Sequence, residues 1–205
     1  MNAGHRRNRK GEGPRLRDDL LDAVTELLAR SGDAGAVTIR AVAARAGVSP
    51  PAVYLHFPDR DSLLRTAIGR RFDEFSARLT AVTGGADPDA DVLAAAHAYV
   101  AFGQAEPGTY RALFSTVDAG PGGLGLSDVD VHPGASALAQ LVDLVTAALD
   151  ARADRRDPWV VTVQLWTALH GLVDLSITKP EIPWPDPHIA TDDLVHRLGL
   201  APDLR

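Results

Sequence analysis

The residues best suited by type and spacing to a specific contact lie between positions 38 and 56, in the run TIRAVAARAGVSPPAVYLH. Thr38 is placed to cap a two-turn helix whose Ile39, Val42 and Ala43 face inward. Ala46-Gly47-Val48 then makes a tight turn: Gly47 accepts a left-handed backbone, and Val48 plugs the angle between two helices. Ser49 opens the second helix. The exposed first residues of such a helix are the ones that enter a DNA major groove. Pro50, Pro51 and Ala52 are small enough there to let the backbone approach base edges, thymine methyls above all. Tyr54 and His56, two residues apart, can reach phosphates on either flank. The same pattern also suits a plain helical hairpin buried in a core.

Other chemistries find little support. With no cysteine, thiol catalysis, Cys-ligated zinc and disulfide scaffolds are excluded. No H-E-x-x-H, G-x-S-x-G or phosphate-loop spacing occurs, and GPGGLG at 120–125 lacks the Lys-Ser/Thr that a phosphate loop needs. His188, Asp192 and His196 fall at i, i+4 and i+8, a spacing that could be imagined around a metal; a solvated terminal helix is the reading we favour. No catalytic residue, metal ligand or cofactor is expected, and the chain does not read as an enzyme.

A chain of 205 residues, 45% hydrophobic and 23% charged, can bury a substantial core. Its net charge of −6 is unevenly spread. Residues 1–80 hold 14 Lys and Arg against 10 Asp and Glu, whereas residues 81–205 hold 7 against 17. A basic first third on an acidic body suggests that one end meets a polyanion, although ordinary surface variation gives the same asymmetry. HRRNRKGEGPRLR at 5–17 carries six basic residues and reads as a disordered arm over DNA, or equally as a solubilising tail. No apolar run approaches the roughly 20 residues of a membrane span, and the charged start lacks a signal-peptide core, so a cytoplasmic protein with no membrane partner is expected.

Periodicity makes the fold all-α, with about nine helices. Apolar residues at 16, 20, 21, 24, 27 and 28 define an amphipathic first helix that Ser31-Gly32-Asp33 stops. After the two short helices of 38–57, Asp59 or Asp61 begins a long helix over about 59–82 carrying Leu63, Leu64, Ala67, Ile68, Phe72, Phe75 and Leu79. Further helices are expected over about 88–105, around Tyr110 to Phe114, and over about 134–153, 157–178 and 188–198. The Gly/Pro-rich stretch 116–133 is too long for an ordinary connection in a compact helical domain.

The whole run TIRAVAARAGVSPPAVYLHFPDRDSLL, with an amphipathic helix before it, resembles the N-terminal domain of the TetR family of transcriptional regulators. The resemblance covers about residues 16–68 and rests on Thr38, Ala43, Ala46-Gly47-Val48-Ser49, Val53-Tyr54, His56-Phe57, Arg60 where the family usually has lysine, and Leu63-Leu64. It implies a three-helix DNA-binding domain over 15–58, after a basic arm at 1–14, and a helical ligand-binding and dimerisation domain over 59–205. It further implies a homodimeric, ligand-responsive repressor that binds a pseudo-palindromic double-stranded operator and is released by a small-molecule effector. Carried over residue by residue, Thr38, Tyr54, His56 and Arg60 match backbone-contacting positions, and Ser49, Pro50, Pro51 and Ala52 match the groove-facing tip. Arg40 could add a direct contact or be solvated.

The body offers less. Trp166, His170 and Gly171 look like a Trp–His–Gly signature of one TetR subgroup, with Trp166 packing the core and His170 making an internal hydrogen bond. His97, Phe102, Tyr110, Phe114, Trp166 and His170 are the candidate ligand contacts, each also at home in a core. The helix near 157–178 is apolar on two faces, Trp159, Val163, Trp166, Val173 and Ile177 against Val161, Leu165, Leu169 and Leu172. It is therefore the expected dimer interface, together with the last helix (Leu194, Leu198).

Overall fold

The computed structural model describes residues 13–115 and 134–201. Among them are nine α-helices, one short 3-10 turn and no strand, as the periodicity predicts. Most of the basic arm and the 116–133 stretch lie outside the described residues.

Helix α1 (Gly13–Ser31) buries Leu16, Leu20, Leu21, Val24 and Leu28 along one stripe. Asp33 caps an unanticipated 3-10 turn at Ala34–Ala36 by accepting from the Gly35 N–H at 2.7 Å. Helix α2 (Ile39–Ala46) starts at Thr38, whose Oγ1 accepts from the Ala41 N–H at 3.1 Å. It ends at Gly47, in the left-handed region at φ 71°. The Val48 N–H then reaches back to the Ala43 carbonyl at 2.9 Å and closes the turn.

Helix α3 (Pro50–Tyr54) is shorter than the sequence suggests. Ser49 precedes it but makes no side-chain cap. Pro50 and Pro51 occupy its first two positions and bring no N–H, while the Ala52 N–H is taken by the Ser49 backbone carbonyl at 2.9 Å. At the other end the His56 and Phe57 N–H groups both converge on the Val53 carbonyl, which ends the helix three residues before Phe57.

Helix α4 (Arg60–Val82) is capped by Asp59, accepting from the Ser62 N–H at 2.6 Å. The remaining helices are α5 (Pro88–Ala105), α6 (Pro107–Ser115), α7 (Ala135–Ala151), α8 (Pro158–Thr178) and α9 (Pro187–Arg197). Asp87-Pro88, Asp157-Pro158 and Asp186-Pro187 start three of them in the same way. The aspartate caps, and the proline fills a first position that needs no N–H.

Helices α1–α3 pack as one unit, with α4 running from that unit into the body. In the body α5 is central, packed on α4, α6, α7, α8 and α9. One continuous core runs through both parts, from Leu20 and Val53 to Leu165 and Val195. By length and hydropathy α8 could cross a bilayer, which corrects the expectation that no segment could. It packs instead against α5, α7 and α9, burying Val161, Leu165, Leu169 and Val173.

The second contact between the two parts is unusually close. The amino end of α6 lies directly on α1, and a Cβ built on Gly108 would sit 1.7 Å from the Ala29 carbonyl oxygen. Both partners are backbone, so no rotamer change could relieve the overlap. Gly108→Ala is therefore expected to push α6 off α1 and lower stability by about 1–3 kcal/mol, as overpacking does. Urea unfolding against wild type checks this, with Gly69→Ala in α4, whose Cβ would meet no atom within 4 Å, as the harmless control.

Candidate nucleic-acid interface and body cavity

The outer surface of the three-helix unit follows from which residues the core claims. Val53 and Phe57 are buried, so the residues between them turn outward. Tyr54 is 55% exposed and Leu55 83%, both far above the norm for such side chains in a packed domain. Thr38, Arg40, Pro50 and Pro51 are exposed, and Ser49, Ala52 and His56 are half-buried. Thr38 and Arg40 stand at the start of α2, Ser49 to Tyr54 form α3 and the residue before it, and the Ser49 hydroxyl is uncommitted to a cap. Leu55 was missed from the sequence, although its position between two buried anchors is signal enough.

Arg60 departs from the expected phosphate contact. Its Nε donates to the Val37 carbonyl at 2.6 Å, one terminal nitrogen donates to the Ala34 carbonyl, and the other pairs with Asp61 at 3.1 Å. Arg60 thus ties the start of α4 to the strap before α2, giving the Val37 carbonyl a donor and the Ala34 carbonyl a second one beside the Val37 N–H. Arg17 adds a second tie, its guanidinium 5.1 Å from the centre of the Phe57 ring.

The body encloses a cavity of about 370 Å³. Helix α4 supplies Phe72, Phe75 and Leu79 to its wall, α5 supplies Ala95 and Tyr99, and α6 supplies Phe114. Helix α7 closes another side with Ala137, Leu138 and Leu141, and α8 the last with Trp159, Trp166 and Leu169. Of the six residues picked from the sequence, Phe114 and Trp166 line the cavity. Tyr110 and His170 stand one layer behind it, and Phe102 packs behind Phe75 at 5.1 Å between ring centres. His97 is elsewhere. It joins α5 to α9, with Nε2 2.7 Å from Asp192 Oδ1 and Nδ1 3.1 Å from His188 Nδ1. No group of three or more metal-ligating side chains is found among the described residues, so the His188–Asp192–His196 spacing forms no such site.

Tyr99 is the polar residue of the cavity lining, and two side chains hold its hydroxyl. Its hydroxyl is 2.9 Å from that of Tyr110 and 3.2 Å from His170 Nδ1, and the Tyr110 hydroxyl is 2.5 Å from the same nitrogen. Burial pushes both phenols well above their ordinary range, so they stay neutral. Burial also pulls the His170 pKa down, with the Asp174 carboxylate opposing. The neutral ring accepts a hydrogen bond at Nδ1 from the Tyr110 hydroxyl, and the Tyr110 oxygen in turn accepts from Tyr99. The expected single internal hydrogen bond of His170 is thus a shared two-tyrosine contact.

Two elements connect cavity and interface. Helix α4, about 34 Å long at 1.5 Å per residue, carries Arg60 at one end and the cavity wall at the other. Helix α6 carries Gly108 on α1, Tyr110 on His170 and Phe114 in the wall. Arg71 and Arg78 of α4 clamp the two together through Glu106, which precedes α6.

The chain is similar to known regulators along both parts. Residues 20–67 match the family described as bacterial regulatory proteins, tetR family, and residues 92–198 match the tetracyclin repressor-like C-terminal domain. An uncharacterized HTH-type transcriptional regulator of Mycobacterium tuberculosis is 28% identical over 162 residues, covering 79% of this chain and 70% of that one. Among solved structures, a protein of unknown function from Rhodococcus sp. RHA1 has TM-score 0.76 at 22% identity, covering 98% of this chain and all of that one. The fatty acid degradation regulator FadR of Bacillus halodurans has TM-score 0.72 at 14% identity, over 94% and 96%. FadR of Bacillus subtilis, solved with stearoyl-CoA, has TM-score 0.68 at 12% identity, over 88% and 96%. At these identities the structures speak for the fold.

Two outcomes are expected from this geometry. Arg60→Met leaves the Val37 carbonyl without the Arg60 donor and the Ala34 carbonyl with only the Val37 N–H, and should destabilise the fold by about 1–3 kcal/mol in urea unfolding. For His170, the neutral ring is favoured in the folded state, so the unfolded chain binds the extra proton first. That stabilisation is complete above the ordinary histidine pKa of about 6.5 and is lost as pH falls below it. The melting temperature should therefore drop between pH 7 and pH 5, and His170→Gln should flatten part of that drop.

Proposed function

The chain belongs to the TetR family of bacterial regulatory proteins, and on that premise we propose that it is a cytoplasmic homodimeric repressor released from its operator by a small molecule. DNA-binding regulation is the family's shared property; dimer, operator and release are what we propose beyond it. The observation that carries it is one helix, α4, ending at the interface on one side and in an apolar cavity on the other.

In this reading residues 15–58 are the DNA-binding domain and 59–205 the effector and dimer domain. Pro50, Pro51 and Ala52 approach the bases with the Ser49 hydroxyl beside them. Thr38, Arg40, Tyr54 and His56 meet the phosphate backbone. With so few hydrogen-bonding groups at the tip, recognition leans on methyl contacts and DNA shape. The basic residues of 1–14 supply further phosphate contacts.

The second subunit packs on α8 and α9. On α8, Val173 and Trp166 turn inward, as do Val161, Leu165 and Leu169, so the interface we propose takes the stripe left uncovered. It runs through Val160, Gln164, Thr167, Gly171 and Leu175, with Ile189 of α9 67% exposed nearby in the chain's last helix. Gly171 lies open at its centre and admits close approach of a partner helix. A two-fold axis there presents two α3 helices to two half-sites. Occupying the cavity shifts the population toward a dimer whose α3 helices no longer match successive grooves.

Fluorescence anisotropy on the chain's own upstream DNA at two salt concentrations, combined with light scattering, tests this. Wild type should be a dimer that binds one sequence, more weakly at high salt. Gly171→Arg should be a folded monomer with affinity lower by on the order of a hundredfold, since the two half-sites no longer act together. Tyr54→Ala should stay dimeric and lose binding. A Gly171→Arg protein that remains a dimer of unchanged affinity contradicts the α8 interface.

A further inference from the structure

The chemistry of the cavity wall narrows what it can hold. No lysine, arginine, histidine, aspartate or glutamate is among its described lining residues. The two arginines that α4 carries beside the wall, Arg71 and Arg78, are paired with Glu74 and Glu106. Residues 116–133, outside the described residues, contain three aspartates, one histidine and no lysine or arginine. The polar cluster behind the wall, Tyr99, Tyr110 and His170, with Asp174 acting on it, likewise supplies no positive charge. A buried anion would have no counter-charge among the described residues.

Resting on the reading of this cavity as the effector site, we propose that the effector is an uncharged, mainly hydrocarbon molecule with one hydroxyl group, which donates its hydrogen bond to the Tyr99 oxygen. Phe72, Phe75, Phe114 and Trp166 surround the hydrocarbon, and an aromatic wall of this kind accepts chains and fused rings alike. Tyr99 provides the orienting contact: its partners Tyr110 and His170 hold the hydroxyl in place, so little ordering is left to be done on binding. A carboxylic acid enters only by taking up a proton. At pH 8, well above the ordinary carboxylate range of about 4–4.5, that lowers its affinity on the order of a thousandfold against the matching alcohol. A nucleotide-bearing thioester has no such escape.

Three ligands with one ten-carbon chain, 1-decanol, decanoate and decanoyl-CoA, separate the cases on the full-length protein. Quenching of tryptophan fluorescence reports binding, since Trp159 and Trp166 line the cavity. Decanol should bind saturably with an affinity flat from pH 6 to 8. Decanoate should bind far more weakly, losing about tenfold per pH unit over the same range, and decanoyl-CoA should not compete. Tyr99→Phe should weaken decanol by about threefold to tenfold, the worth of one hydrogen bond, and leave naphthalene binding unchanged, which also shows that the variant is folded. Decanoate or decanoyl-CoA binding as tightly as decanol at pH 8 overturns the proposal, as does decanol binding that ignores Tyr99→Phe or is absent. Operator release read in the same samples keeps the two readings apart. Decanol that binds without releasing DNA contradicts the effector-released repressor and leaves the ligand class standing; release by decanoyl-CoA alone does the reverse.

Discussion

Backbone meets backbone where α6 lies on α1, with Gly108 against the Ala29 carbonyl, and much of the molecule's behaviour depends on that contact. Side chains between helices usually act as a cushion, since rotamers shift to absorb small displacements. Here there is none. A displacement of α6 must move α1 or open the joint, and α1 carries the core on which α2 and α3 sit. The same helix places Phe114 in the cavity wall and Tyr110 beneath Tyr99. Helix α4 runs parallel to this linkage in function, fixed to the three-helix unit by Arg60 and to α6 by the Arg71–Glu106–Arg78 cluster. Cavity and interface are therefore joined at two places by stiff elements.

The interior shows how an apolar site is given direction. Buried hydroxyls and an imidazole are unfavourable unless each finds a partner. Tyr99, Tyr110 and His170 satisfy one another in a small cluster, and only Tyr99 among them borders the cavity. A pocket that is otherwise hydrocarbon-like thus has one polar point. His97, by contrast, serves the scaffold, holding α9 to α5 through Asp192.

Much of the fold could be read in advance because local chemistry dictates it. Thr38 caps α2, Gly47 ends it in the left-handed region, and the Asp-Pro pairs start α5, α8 and α9. These signals need only near neighbours in the chain. The short α3 was also latent in the sequence, since two prolines remove the donors that a Ser49 cap would use. The cavity was not legible in the same way. Phe72, Phe75 and Leu79 obey the same helical rhythm whether they pack solidly or leave a space, so periodicity assigns them to a core. Histidine type drew attention to His97, yet which helix faces it is decided by tertiary packing. Which stripe of α8 stays uncovered was not legible for a related reason: a helix apolar on several faces does not say which face its own body will take.

In the homodimer we propose, filling the cavity changes the spacing of the two recognition helices. The chain has no cysteine, so Ala44→Cys on the exposed side of α2 gives one spin label per subunit. Double electron–electron resonance then measures a single inter-subunit distance with and without saturating 1-decanol. The distance distribution is expected to move by several ångströms on addition of decanol. A distribution that stays in place while the cavity is occupied would contradict the proposed change of spacing.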